Sequence, residues 1–223
     1  MEQYVLFDLD GTLTDSAEGI VNSVIYALKQ NGIEETDRKK LLAFVGPPLV
    51  DSFMKYYGMT EEEAKKTTED YRVYFRDRGW CENYVYDGIP EALETLRKEG
   101  FHLIVATSKP EVFARRILEY FKLDTCFEII GGSTLDGRIS KKGQVIDYVL
   151  NRIAPDGRDS VIMVGDREHD VNGARENGLP CVGVLYGYGS REELEAAGAS
   201  FICPDVSSLP AVIKEAFHCS GKE

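Results

Sequence analysis

Short, nearly continuous apolar runs constrain the fold of this chain more than any other feature of its sequence. They lie at residues 4–7, 102–106, 161–164, 182–185 and, more weakly, 201–203, and residues 126–130 could form another strand. Continuous rather than alternating apolar residues are typical of strands that are covered on both faces. Amphipathic helical patterns separate these runs, at residues 90–99, 110–121, 143–153 and 168–177. The alternation predicts an α/β fold, with a parallel sheet and helices on both faces.

Residues 16–85 depart from this alternation, because they contain helical patterns only. We expect helices at residues 16–30, 36–44, 48–57 and 60–77, separated by turns that contain glycine or proline. The last of these helices begins at Thr60, a residue type that caps helices, and three glutamates follow it. The block predicts an inserted all-helical domain of residues 16–85 and a core domain of residues 1–15 and 86–223.

Charge and cysteine content limit the partners and the compartment of the protein. The formal net charge of −12 argues against a protein that grips nucleic acid by its phosphates. The five cysteines are odd in number and scattered, which indicates reduced thiols in a reducing compartment. Neither a signal peptide nor a membrane-spanning apolar run is expected. We therefore expect a cytoplasmic protein with no nucleic-acid or membrane partner, as a monomer or weak homodimer.

Polar clusters follow three of the predicted strands. The first strand is followed by Asp8-Leu9-Asp10-Gly11-Thr12, the second by Thr107-Ser108-Lys109-Pro110, and the third by residues 165–170, GDREHD. Any one cluster could be a set of turn and capping residues. Because ligands bind beyond the carboxyl ends of parallel strands, three clusters at the same edge predict one site.

The residue types in these clusters indicate phosphate chemistry with a metal. Four carboxylates supply the hard oxygen ligands that Mg²⁺ prefers, and the metal would offset their repulsion. They are Asp8, Asp10, Asp166 and Asp170. Thr107 and the N–H groups at the start of the following helix can hold a phosphoryl group.

A lysine is needed to neutralise the remaining charge, and the sequence offers Lys141 and Lys142. Apolar residues recur at helical spacing after them and mark the face of the helix that turns to the sheet. At about 100° per residue, Lys142 points almost along that face, and Lys141 points more than about 100° away from it. The helix therefore favours Lys142 as the site lysine.

Taken together, these residues resemble the haloacid dehalogenase superfamily of phosphohydrolases. The stretches "DLDGTLTDS", "VATSK" and "VGDREHD", with a lysine between the last two, are similar to its four motifs. The resemblance covers essentially the whole chain, and implies a Rossmann-like core with the helical insertion as the family's cap. "GPPL", "KPEVFARRIL" and "VLYGYGS" resemble the branch called phosphoglycolate phosphatase-like or 5′-nucleotidase-like.

The resemblance also implies a role for each site residue. Asp8 would be the nucleophile that becomes an aspartyl phosphate, and Asp10 the general acid and then the base. Mg²⁺ would bind Asp8, the backbone carbonyl of Asp10 and Asp166, with Asp170 nearby. Thr107 and a lysine would bind the phosphoryl oxygens. From the sequence we expect that lysine to be Lys142, and we expect Ser108 and, unless it lies at the surface, Lys109 to contact the phosphate as well.

The expected activity is hydrolysis of a small phosphorylated metabolite by a Mg²⁺-dependent phosphatase. The substrate would be a phosphomonoester similar to phosphoglycolate or a nucleoside monophosphate. A phosphomutase similar to β-phosphoglucomutase, or a pyrophosphatase, is the alternative on the same scaffold. A signalling receiver domain also uses an aspartate, Mg²⁺ and a lysine, but it lacks the inserted domain and the second acid at the position of Asp10.

Overall fold

The computed structural model describes residues 2–220, which form two compact units. One unit is Met1–Thr14 with Val85–Glu223, and the other is Asp15–Tyr84. Two short strands at the ends of the insertion, β2 (Thr14–Asp15) and β3 (Tyr84–Val85), pair with each other. Within the part of the chain that is described, none of the helices has the length and apolar character needed to cross a membrane.

The larger unit is built on a six-stranded parallel sheet with the strand order β5-β4-β1-β6-β7-β8. Its strands are β1 (Tyr4–Phe7), β4 (His102–Pro110), β5 (Ile129–Ser133), β6 (Val161–Gly165), β7 (Cys181–Val184) and β8 (Phe201–Cys203). Leu6 of β1 lies opposite Ile104 of β4 on one side and Met163 of β6 on the other. The predicted α/β fold is confirmed.

Helices cover the sheet on both faces, which explains why its strands are apolar without alternation. The helices of this unit are α5 (Ile89–Lys98), α6 (Glu111–Tyr120), α7 (Lys142–Ile153), α8 (Glu168–Glu176), α9 (Arg191–Ala197) and α10 (Leu209–Ser220). Alternate strand residues such as Leu6 and Met163 pack in one core cluster with Val149 of α7 and Val171 of α8. Their neighbours on the opposite face of the strands, such as Val5, are also fully buried.

The possible strand at residues 126–130 was placed too early in the sequence. Asp124–Cys126 forms a 3₁₀ turn, and β5 runs from Ile129 to Ser133 through two glycines. Glycine usually weakens a strand, so Gly131 and Gly132 resembled the end of one. Here they permit close packing, because a Cβ atom at Gly131 would lie 2.4 Å from Cγ2 of Val149.

The smaller unit contains only helices apart from its terminal strand residues. They are α1 (Ala17–Gln30), α2 (Arg38–Leu42), α3 (Leu49–Tyr57) and α4 (Glu61–Tyr74), and a π-helical turn follows at Phe75–Gly79. Thr60 caps α4, since its side chain accepts from the Glu63 N–H at 3.3 Å and its own N–H donates to Glu63 Oε2 at 2.8 Å. The role of this unit as a cap stays a prediction.

Candidate active site

The candidate site lies at the carboxyl edge of the three adjacent strands β4, β1 and β6. Asp8 directly follows β1, Thr107 lies near the end of β4, and Asp166 directly follows β6. In the sheet, β1 lies between β4 and β6, so the strand order changes direction at this point. Open α/β sheets bind ligands at the carboxyl ends of the strands where this change occurs. All three side chains are buried, and Asp166 is fully so.

Three carboxylates converge at this edge. Asp8, Asp166 and Asp170 each offer an oxygen, and these oxygens all lie within 4.8 Å of one another. Burial raises the pKa of Asp8, and Asp170 adds to the rise although Lys142 opposes it. Burial, followed by the charges of Asp170 and Asp8, raises the pKa of Asp166 well above its usual value. The cluster therefore holds more negative charge than its immediate surroundings stabilise.

Lys142 contacts two carboxylates of this cluster. Its Nζ lies 2.8 Å from Asp8 Oδ1 and 2.9 Å from Asp170 Oδ1, and it also donates to the Ala106 carbonyl at 3.0 Å. Although burial alone would lower it, the pKa of Lys142 is raised by Asp170 and Asp8. Helix α7 begins at Lys142, which is buried, whereas Lys141 is exposed.

A second ion pair joins Asp10 to Lys109. Lys109 Nζ donates to Asp10 Oδ2 at 2.8 Å, and both side chains are buried. The other oxygen, Asp10 Oδ1, is buried without a hydrogen-bond partner among the described residues. This arrangement holds the carboxylate in place by one oxygen and leaves the second available.

A β-bulge explains how Lys109 reaches Asp10. The pairing of β4 with β5 shifts between Thr107 and Pro110, so the intervening residues oppose no residue of β5. A bulge changes the direction of the side chains that it contains, and bulges are frequent beside active sites. Thr107 Oγ1 accepts from the Lys109 N–H at 3.2 Å inside this bulge, and Ser108 is half-buried there.

The donor set fits a hard divalent cation. Asp8, Asp166 and Asp170 offer only carboxylate oxygens, which suit Mg²⁺. The carboxylate of Asp10 is paired with Lys109 and is not part of this group. Counted with Asp10, the site contains four carboxylates and two buried lysines, a formal charge of −2. A divalent cation would balance that charge.

Two contacts to Asp166 involve residues that the sequence did not single out as site residues. The Tyr188 N–H donates to Asp166 Oδ2 at 2.8 Å, and Thr12 Oγ1 lies 3.4 Å from Asp166 Oδ1. Tyr188 acts through its backbone, so its residue type carries no signal. The glycines on either side of it, in the stretch after β7, are the feature that could have indicated a close approach to another residue.

Comparison with known proteins gives matches over most of the chain. A family model described as haloacid dehalogenase-like hydrolase matches residues 5–184. A 5′-nucleotidase from Pseudomonas aeruginosa is 47% identical over 210 residues, which cover 94% of this chain and 95% of that protein. Tyrosine-protein kinase PtkA from Mycobacterium tuberculosis is 40% identical over 200 residues, which cover 90% of this chain and 68% of that protein.

Solved structures agree with the sequence matches. The crystal structure of a predicted phosphatase from Clostridium acetobutylicum superposes with a TM-score of 0.94 and 52% sequence identity. The superposition covers 96% of this chain and 99% of that one. The similarity therefore includes both the α/β unit and the helical insertion.

Proposed function

We propose that this chain, which belongs to the haloacid dehalogenase-like hydrolase family, is a Mg²⁺-dependent phosphatase for small phosphomonoesters. One observation carries the proposal: buried Asp8 is paired with Lys142, and Asp10 lies two residues further along with one oxygen free of hydrogen bonds among residues 2–220. A carboxylate attacks phosphorus only where the negative charge of both groups is offset. This pairing supports Asp8 as the nucleophile and Asp10 as the acid and base.

Asp8 and Asp10 would act in two successive steps, formation and hydrolysis of an aspartyl phosphate. An Asp8 oxygen forms a bond to phosphorus while the bond from phosphorus to the leaving oxygen breaks, and Asp10 donates a proton to that oxygen. Water then attacks the phosphorus of the aspartyl phosphate, the bond to Asp8 breaks, and Asp10 accepts the proton from water. Lys142 and Thr107 would bind the phosphoryl oxygens during both steps.

Asp8, the backbone carbonyl of Asp10 and Asp166 would hold Mg²⁺, with Asp170 beside them. When bound, the ion would offset charge on the phosphoryl group and help to orient it. The convergence of Asp8, Asp166 and Asp170 on one point supports this assignment.

A nucleoside monophosphate is the first substrate class to test, because the relative from Pseudomonas aeruginosa is named a 5′-nucleotidase. 2-Phosphoglycolate is the second, on the resemblance of the motifs. Transfer to another sugar position and hydrolysis of pyrophosphate are the alternatives on this scaffold. PtkA carries a kinase name, so family membership alone does not fix the acceptor of the phosphoryl group.

The test is a comparison of the wild-type protein with Asp8→Asn on a panel of phosphorylated compounds. The panel contains nucleoside 5′-monophosphates, 2-phosphoglycolate, a hexose phosphate and pyrophosphate, with Mg²⁺ or with EDTA. We expect Mg²⁺-dependent release of phosphate by the wild type and none by Asp8→Asn, because an amide is not a nucleophile. Isomerised sugar phosphate in place of free phosphate would support the mutase instead.

Asp10→Asn serves as the second variant, because it alters proton transfer and leaves the nucleophile in place. We expect its rate to fall by about 100-fold or more, the usual worth of a general acid or base. Circular dichroism shows whether each variant is folded. Turnover by folded Asp8→Asn at the wild-type rate would rule out the covalent mechanism.

A further inference from the structure

The loop between β7 and α9 packs against Asp166. Within it, the Tyr188 N–H donates to Asp166 Oδ2 at 2.8 Å. Glycines precede and follow Tyr188, and neither has a positive φ. Something other than backbone conformation therefore accounts for glycine at these two positions.

Contact with the site accounts for both glycines. A Cβ atom at Gly187 would lie 2.4 Å from Asp166 Cβ and 2.3 Å from the Gly11 carbonyl oxygen. A Cβ atom at Gly189 would lie 2.0 Å from the Asp166 carbonyl oxygen. Backbone atoms cannot move aside as the end of a flexible side chain can. Any larger residue would therefore push the loop and Asp166 apart.

The loop also fixes the rotation of the Asp166 carboxylate. The contact from Tyr188 N–H to Oδ2 has an ordinary hydrogen-bond length, whereas Thr12 Oγ1 lies 3.4 Å from Oδ1. Asp166 is fully buried. The backbone N–H is thus the stronger of these two contacts to the carboxylate.

A glutamate ties the far end of the loop to the same stretch of chain. Glu193, in the first turn of α9, accepts from Arg167 Nε at 2.7 Å and from the Glu168 N–H at 3.0 Å. Ser190 caps the same helix by accepting from the Glu193 N–H at 3.1 Å. Arg167 and Glu168 directly follow Asp166, so the loop is held at both ends against one segment.

We propose that residues 187–193 position the Asp166 carboxylate to bind a divalent cation. Gly187 and Gly189 allow the approach, the Tyr188 N–H holds one oxygen, and Glu193 fastens the loop. The proposal rests on the proposed function in taking that cation to be Mg²⁺. Partners that orient a metal ligand in this way typically contribute about 10- to 100-fold to metal affinity or activity.

The experiment measures Mg²⁺ binding rather than catalysis. EDTA-treated protein, freed of chelator, is titrated with MgCl₂ by isothermal titration calorimetry, and its unfolding temperature is measured separately in EDTA. The variants are Gly187→Ala, Gly189→Ala and Glu193→Ala. Glu195→Ala is the matched control, since Glu195 lies on the same helix, is exposed and forms an ion pair with Arg191 of that helix. We expect about tenfold weaker Mg²⁺ binding in the three variants, and wild-type binding in the control.

Wild-type Mg²⁺ affinity in folded Gly187→Ala, Gly189→Ala and Glu193→Ala would overturn the proposal, whatever their unfolding temperatures. If the glycine variants do not fold, the comparison of Glu193→Ala with Glu195→Ala decides, because both residues lie at least partly at the surface. Failure of the proposed function looks different. The wild type would then bind Mg²⁺, and the variants would bind it less well, although no compound of the panel released phosphate.

Discussion

Two buried lysines divide the charge at the carboxyl edge of the sheet. Lys142 contacts Asp8 and Asp170, whereas Lys109 contacts Asp10. The proposed nucleophile and the proposed acid therefore each have a cation of their own. Buried ion pairs are costly to break, because removal of one partner leaves the other charge unpaired. The two lysines should consequently have separable effects on catalysis.

The pair of variants Lys142→Met and Lys141→Met tests the first lysine. Methionine keeps most of the side-chain volume and removes the charge that offsets Asp8. We expect kcat/KM to fall by about 100-fold or more in Lys142→Met, as for loss of a group that stabilises developing charge. Lys141→Met should stay close to wild type, since Lys141 is exposed. Steady-state kinetics on the best substrate of the panel decide, and a larger effect at position 141 would contradict the assignment.

Lys109→Met separates two roles for the second lysine. If Lys109 mainly orients Asp10, its loss misplaces the acid, and we expect kcat to fall by about 10- to 100-fold with little change in KM. A phosphate-binding role, which was one of the two expectations from the sequence, would instead raise KM. The exposed Lys98 offers a control, because Lys98→Met removes the same charge from α5. An increase in KM at unchanged kcat would show that phosphate binding is the main role.

At the scale of elements, continuous apolar runs were enough to predict the sheet. Burial on both faces leaves a strong signal in strands such as β1 and β6, because almost every residue must be apolar. The same pattern does not predict β5 correctly, because this strand contains glycines that permit close packing against α7. The helical patterns in the sequence also did not predict α9 and α10. The family resemblance, by contrast, is confirmed by the family model that matches residues 5–184.

The candidate site was predictable to the extent that side chains carry its chemistry. The acids after β1 and β6 were identified because carboxylates in these positions are unusual. The β4 bulge was not, since it depends on the pairing with β5 and not on β4 alone. The contact from the Tyr188 N–H could not be predicted either, because any residue type except proline supplies the same backbone donor. The roles assigned to these residues stay predictions until variants are measured.

The N-terminus of α4 offers a test of an element that both sequence and structure describe. Thr60 and Glu63 cap it with reciprocal hydrogen bonds. We expect Thr60→Ala to lower the free energy of unfolding by about 1 kcal/mol, the typical cost of losing a capping side chain. Thr36→Ala, at an exposed threonine of the same unit, should change it little. Urea unfolding followed by circular dichroism measures both, and equal effects would contradict a specific role for the cap.

At the scale of the whole molecule, we expect the carboxylates of the candidate site to lower the stability of the metal-free protein. The protein has a formal net charge of −12, and it buries a cluster of carboxylates in its larger unit. Each buried carboxylate with a raised pKa favours the folded state when protonated and opposes it when ionised. A bound divalent cation would reverse that cost by mass action. Removing one carboxylate should therefore stabilise the metal-free protein and abolish the gain from Mg²⁺.

Asp166→Asn tests this expectation directly. The folded protein raises the pKa of Asp166 above its usual value of 3.8, so its contribution to stability is lost as pH rises from there through the raised value. In EDTA near neutral pH we expect Asp166→Asn to unfold about 2–4 °C above wild type, which corresponds to about 1 kcal/mol for a chain of this size. The difference should shrink as the pH falls through the raised pKa of Asp166, because the wild-type carboxylate then regains its proton. Added Mg²⁺ should raise the unfolding temperature of the wild type but not that of Asp166→Asn.

Asp87→Asn provides the matched control, because it removes an equal charge from an exposed position of the same unit. Its unfolding temperature should equal that of the wild type in EDTA and rise equally with Mg²⁺. Differential scanning calorimetry at several pH values makes the comparison. A lower unfolding temperature of Asp166→Asn in EDTA near neutral pH would mean that the hydrogen bonds to this carboxylate outweigh its repulsion from Asp8 and Asp170. The Asp166 carboxylate would then stabilise the metal-free protein instead of destabilising it.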